Sequence, residues 1–428
     1  TNTGTLIIGS ASEVGDSVIV SNKGVLYADG PIRIGTGSAT ESDASLVIAL
    51  GGIVRAATNT ALGSKGSNGN NAWRFALIVR DAGSLFDGGG NRLTITEIGG
   101  GGLGLAHYGN RMVLDGGLIT NVSFGVGMDN GGSTYYRQNE VGGYVLVTNG
   151  GRMYCGAVND TYFHLTGGAY GGYYTINSTD IVTGVGTLWN NGGKGLTYAT
   201  SVNRFDCPSA TNTFILDDGA LMTNVGYLSF AAWVALDNRF VITNGARLFS
   251  TNGSIGISAI STDNLFIVTG NRLGTNSLWD LGGGAIRVGA GSSSNNALVI
   301  DRGGIVTNAG GLTIGANSNH VELLGGILSV TGVTANSEYL FTIGDGVQTA
   351  RLSVLPGGAM FAGGLFIQSN AVFNGSGTIN ASVAGLVITN GATINPGGGG
   401  AGAVTIGGSN LTWYGGGSFV CEITNFSG

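Results

Sequence analysis

Acids, histidines and cysteines are the residues of this chain that could carry chemistry, and they are few and scattered. The one adjacent acidic pair is Asp217-Asp218, directly before Gly219. A glycoside hydrolase needs two carboxylates held across a cleft at a set separation. Side by side before a glycine, this pair reads as a turn. Other acids stand singly, as Asp16, Asp43, Asp81, Asp115 and Asp301. Asp115 and Asp301 each follow an apolar triplet, where an acid favours local hydrogen bonding in a turn. His107, His164 and His320 have no metal-ligand partner at helical or strand spacing. The glycines at 99–104 lack the Lys-Ser/Thr of a phosphate-binding loop. Cys155, Cys207 and Cys421 are odd in number and none form a CxxC pair. Cys155 and Cys207 are candidate disulfide partners if stacked coils bring them together; buried free thiols are the alternative. The sequence therefore predicts no catalytic residue, no metal and no cofactor.

The elements that would have to position any site repeat one phrase. Leu46-Val47-Ile48 precedes Gly51-Gly52, and Val145-Leu146-Val147 precedes Thr148-Asn149-Gly150. Val241-Ile242 precedes Thr243-Asn244-Gly245, Leu298-Val299-Ile300 precedes Gly303-Gly304, and Leu386-Val387-Ile388 precedes Thr389-Asn390-Gly391. A second phrase, apolar-x-apolar-Gly, recurs at 32–35, 286–289, 312–315 and 404–407. Its alternation has period two, which is strand, and no window sustains a helical period. A strand-turn unit repeated at such spacing predicts a stacked solenoid. The expected fold is all-β: a right-handed parallel β-helix over 1–428, a single continuous β-solenoid. Two or three short strands per coil and roughly 25–33 residues per coil give roughly 13–17 coils. Arg152 and Arg247, on matching phrases, are expected to face solvent. Asn in the Thr-Asn-Gly corner tolerates left-handed geometry and can ladder with its neighbours.

Composition narrows the function. Glycine is 83 of 428 residues and proline 4, which excludes collagen. Hydrophobic residues at 42% against 10% charged argue for a packed core over disorder. Net charge is −6 with no basic stripe, so nucleic acid is not an expected partner. No apolar run reaches membrane-spanning length. Residue 1 is Thr and no signal peptide stands at the start, so an export signal is expected to have been removed.

The last forty residues carry a resemblance. Ile388-Thr389-Asn390-Gly391-Ala392-Thr393-Ile394-Asn395-Pro396-Gly397 leads to Val404-Thr405-Ile406-Gly407, then Leu411-Thr412-Trp413 and Gly417-Ser418-Phe419. Residues 386–428 resemble the autotransporter-associated β-strand repeat. The resemblance implies a secreted bacterial β-helix, extracellular or on the cell surface, with no catalytic residues.

Two places are left for function. The pattern is least regular around 123–212, where nine of the 14 tyrosines gather between 135 and 198. Tyr135, Tyr136, Tyr170, Tyr173 and Tyr174 are the expected contacts for a surface glycan or protein, as in an adhesin. The ends are the other place. Leu6, Ile7 and Ile8, and Phe419, Val420 and Ile423, are expected to make end-to-end contacts if subunits stack into a filament. The expected function is a non-enzymatic structural or adhesive solenoid. A carbohydrate-active β-helix enzyme is the other class weighed.

Overall fold

A computed structural model of the chain describes residues 4–9, 14–35, 43–63, 72–95, 105–126, 138–156, 162–165, 173–199, 209–258, 260–271, 274–336, 341–347, 349–379, 385–397, 402–406 and 410–420. Every regular element among them is a β-strand, and the strands pair in parallel, as in Ser45–Ile48 beside Ala76–Arg80. The chain divides into two compact units, Thr1–Arg239 and Phe240–Gly428. Both are built from the same coil, which is a β-solenoid.

One coil shows the construction. Ser45–Ile48 opens it in what we call the lead sheet. The chain turns through Ala49-Leu50-Gly51-Gly52 and runs along a return sheet as Ile53–Ala56 and Thr60–Leu62. Lead strands number fifteen among the described residues: seven in the first unit, seven in the second, and Arg239–Ile242 at the boundary. That number falls within the expected range of coils. Alternation does the sorting. Leu46 and Ile48 point inward and are fully buried, while Ser45 and Val47 face out. Each inward residue sits over its register partner one coil away, so Leu46 lies under Leu77 and Leu77 under Met112. Burial of each such side chain stabilises by about 1.5–3 kcal/mol, and this column is the core.

Coil length varies more than the phrase suggests. The step is 28 residues from Ser17 to Ser45 and 35 from Ala76 to Arg111. In the second unit it falls from 32 between Leu265 and Ala297 to 20 between Glu322 and Thr342. The long coils of the first unit add a strand to the two or three expected, in a side sheet. It contains Leu105–Tyr108, Gln138–Val141 and Tyr173–Ile176. The repeat-like C-terminal residues fold as their resemblance implies: Leu386–Ile388 pairs in parallel with Leu411–Trp413, and Thr393–Asn395 with Ser418–Phe419.

Corners are fixed by side chains of the next coil. The Gly51 N–H donates to Ser84 Oγ at 3.1 Å, Gly150 N–H to Thr187 Oγ1 at 3.0 Å, and Gly245 N–H to Ser277 Oγ at 3.0 Å. Ser84, Thr187 and Ser277 are themselves buried. Asn149 and Asn244 adopt the left-handed geometry expected of them, with φ of 53° and 51°.

The glycine of the second phrase has a specific cause. Gly289 has φ of +69°, and a Cβ there would lie 2.1 Å from the Asn319 side chain of the next coil. Gly256 repeats this with Asn296 at 2.2 Å. Gly289→Ala is therefore expected to cost about 3 kcal/mol, from left-handed strain and overpacking together. Gly291→Ala shares the strain at φ +61° but meets nothing within 4 Å, so it should cost about 1 kcal/mol. Urea melts of the two variants check the difference.

Candidate functional site

Before six of the lead strands a buried asparagine occupies one recurring interior position. Asn110, Asn212, Asn238, Asn264, Asn296 and Asn319 occupy it, and all are fully buried. Each follows a residue of positive φ: Gly109, Thr211, Asp237, Asp263, Asn295 and Ser318. That kink tucks the following side chain inward. In the first unit the Asn212 N–H and amide both donate to Asn238 Oδ1, at 3.0 and 2.9 Å. In the second, Asn264 does the same to Asn296 Oδ1 at 3.3 and 2.8 Å, and Asn296 to Asn319 Oδ1 at 3.1 and 2.9 Å. Buried amides cost little when every rung is satisfied.

A second set of rungs lies on the outside. An acid on one coil accepts from an asparagine amide on the next: Asp115 from Asn149 at 2.7 Å, Asp87 from Asn121 at 3.1 Å, and Asp280 from Asn308 at 2.9 Å. Asp263 and Asn295 pair the same way. So Asp115, read as a local turn acid, bonds to the next coil. Asp43 and Arg74 form a bidentate ion pair at 2.8 and 2.7 Å.

One interior residue breaks the apolar stack. Asp180 follows Val145 and precedes Phe214 in the inward column of the lead sheet, and it is 1% exposed. Its Oδ1 accepts the Val145 N–H at 2.9 Å. Its Oδ2 is buried without a hydrogen-bond partner among the described residues. Burial pushes the carboxyl up from 3.8 to about 7, against the smaller opposing effect of the Val145 hydrogen bond. Tyr198, also buried, is in electrostatic contact with it and is itself held well above the usual phenol range, mainly by burial. The sequence reading passed over Asp180. Its parity with inward-facing Val182, two residues on, is the signal that would have found it.

The expected tyrosine surface divides. Tyr135, Tyr136 and Tyr170 lie outside the described residues. Tyr173 and Tyr174 sit on a side-sheet strand, paired with Gln138 and Asn139; their side chains also lie outside the description. Tyr198 and Trp189, from the same stretch, are core residues. Trp189 packs edge-on against Phe124 at 5.8 Å, and Tyr198 against Phe214 at 5.5 Å. Arg152 and Arg247 face solvent, as expected.

The remaining candidates are dispersed. Asp217 accepts from Thr183 Oγ1 at 3.4 Å, and Asp218 has φ of 50°, so the pair forms a turn. Asp301 is held above the usual carboxylate range, first by partial burial, with Arg302 opposing and Asp345 adding to the rise. His320 Nε2 lies 3.6 Å from Glu322 Oε1. Among the described residues no group of three His, Cys, Asp or Glu side chains could hold a metal. A shallow open depression of about 800 Å³ in the second unit is lined by Thr307, Asn308, Ser329, Thr331 and Ser353, with glycines and apolar residues and no titratable group. It can hydrogen-bond a neutral polar ligand and offers no acid or base.

Cys155 is buried with a free thiol; Cys207 lies outside the described residues. Burial raises the Cys155 thiol far above its ordinary range, offset in part by a hydrogen bond with Trp189. Only the thiolate reacts with alkylating reagents. Iodoacetamide should therefore leave Cys155 unlabelled in the native protein and label it fully in denaturant, as read by peptide mapping.

No family model matches the chain, and no curated protein does. Among solved structures it is similar to a hyper-glycosylated TibA fragment whose glycosylation is catalysed by TibC. That likeness covers 97% of this chain and 98% of the other, at 10% identity and a TM-score of 0.23. A superposition that loose carries no argument, and the fold rests on the strand pairings. No helix among the described residues is long and apolar enough to cross a membrane.

Proposed function

We propose that the chain is a non-enzymatic, structural and adhesive β-solenoid of the cell exterior. The observation that supports this best is where its repeated polar residues go. Asn264, Asn296 and Asn319 bond coil to coil inside, and Asp87, Asp115 and Asp280 bond coil to coil outside. Residues that recur by coil are used for stacking, so function falls to the outer surface. The side sheet around Tyr173 and Tyr174 and the hydroxyl-lined depression at Thr307–Thr331 suit a sugar or a polar protein surface. Low charge and the resemblance of residues 386–428 support an exported location.

Immobilised glycans and extracellular proteins test the adhesive reading. The purified chain should be retained, and a Tyr173→Ala/Tyr174→Ala variant should lose retention with an unchanged circular dichroism spectrum. Release of reducing sugar from polysaccharides would overturn the non-enzymatic reading.

End-to-end stacking is the finer version. Ile7 and Phe419, on the outermost described strands, and Val420 beside them are exposed apolar residues, whereas Ile8 is buried in the core; Ile423 lies outside the described residues. Electron microscopy should show filaments that lengthen with concentration. Dispersed particles at every concentration would sink it.

A further inference from the structure

We infer that the outer face of the lead sheet in the first unit is a lateral interface between two copies of this chain. The lead strands there are apolar on both faces. Inward residues form the core, and the outward centre of each strand is apolar as well: Val47, Ile78, Val113, Leu146, Ile181 and Ile215, in six successive coils. Ile19, one coil earlier and in register with Val47, is 63% exposed. Parallel strands that read as continuous apolar runs are normally covered on both sides. On the return sheet the outward column Val25, Ile53, Leu85 and Leu118 is apolar too, but Arg152 breaks it before Leu188 and Leu221, and the column through Arg55, Asp87 and Thr120 is polar.

The second unit keeps the stripe unbroken only in its first lead strands, where Val241, Ile267 and Val299 are apolar outward centres. In the second unit Ile267 and Val299 are in register, but the next partner is Glu322 and then Thr342. Glu322 sits beside His320, and a charge there is incompatible with a dry apolar seam.

Area and charge both favour a second copy as the occupant. Seven strands at about 4.8 Å spacing, each about 17 Å long, give a flat patch of roughly 500 Å². Two such patches bury on the order of 1,000 Å², the lower end for a specific pair. A patch of roughly 500 Å² is in the range of the largest patch on a typical monomer, which is often functional. A twofold axis parallel to the stacking direction places each strand opposite its own counterpart with its ends reversed. Val113 then meets Val113. Arg111, at one end of its strand, meets Asp115, at the other, twice over; both face outward and are half-buried. Arg80 meets Ala76 and Asp217 meets Thr213, so no like charges face each other. Another sheet of the same 4.8 Å corrugation matches this surface throughout.

Sedimentation of the full chain over nanomolar to high-micromolar concentration tests it. The expected result is a monomer–dimer equilibrium that stops at twice the chain mass of 43.0 kDa. Leu146→Asp/Ile181→Asp, at outward positions, should weaken dimerisation about a hundredfold or more while the melting curve is retained. Arg111→Asp should weaken it less, and Arg111→Asp/Asp115→Arg should restore it. Val113→Cys should oxidise to a symmetric 113–113 linkage. A chain that stays monomeric, or that stays monomeric and floats with phosphatidylcholine vesicles, overturns the inference. So does growth past the dimer into an open series, or a dimer indifferent to both the aspartates and the charge exchange.

Discussion

Asp180→Asn should leave stability at about pH 4 unchanged and raise it by on the order of 4 kcal/mol at about pH 8. The sign follows from where the proton sits. The native carboxyl titrates at about 7 and the unfolded one near 3.8. Below about pH 4 both states are protonated, and the wild type has its full stability. Between about pH 4 and 7 the unfolded chain releases its proton while the native chain holds it, so stability falls as pH rises. Above about pH 7 both are ionised and the loss is complete. Asparagine copies the neutral acid and keeps an oxygen for the Val145 N–H, so its profile should be flat over that window. Urea melts across the pH range check this. A difference between the two proteins that does not change with pH would show that Asp180 is not buried as a neutral acid.

Asn296→Ala should destabilise the second unit by about 4 kcal/mol. Asn296 Oδ1 accepts from the Asn264 N–H and amide, and its own amide donates to Ser261 O and Asn319 Oδ1 at 2.9 Å each. Alanine leaves several buried groups short of partners at about 1–3 kcal/mol each. It also opens a void over Gly256, whose missing Cβ had made room for the amide. The adjacent residue is an internal contrast. Asn295 bonds to Asp263 on the exposed side of the same corner at φ of 52°, and Asn295→Ala should cost only about 1 kcal/mol, from left-handed strain. Thermal or urea melts of the two variants separate an interior ladder from an exterior one. Equal losses would place the stacking energy elsewhere.

Much of the fold was legible because strand alternation and glycine corners are local signals. Triplets such as Val145-Leu146-Val147 mark lead strands directly, and their apolar middle residues mark the outward stripe. The inner ladder was missed for a physical reason. Asn is expected in turns, so Asp263-Asn264 and Asn295-Asn296 read as corners, and only register shows that the second residue of each pair points inward, Asn296 over Gly256 of the preceding coil. Asp180 was missed because an acid between Thr179 and Ile181 looks exposed until the pairing with Val145 and Phe214 fixes its face. The tyrosine count misled in part, since Tyr198 and Trp189 were gathered with surface residues on sequence proximity alone. Coil length was legible only as an average, because the side-sheet strand and its loss change the step from 35 to 20 residues.

Every reading above depends on the parallel register between coils. Arg247 and Leu278 are outward-facing register partners in the second unit, about 4.8 Å apart across the ladder. Arg247→Cys/Leu278→Cys should form an intramolecular disulfide on mild oxidation, linking the two peptides in a mass-spectrometric map. Arg247→Cys/Asp280→Cys, two residues out of register and about 8 Å apart, should not. Failure of the first pair, or linkage of the second in its place, would contradict the stacked coil on which the account rests.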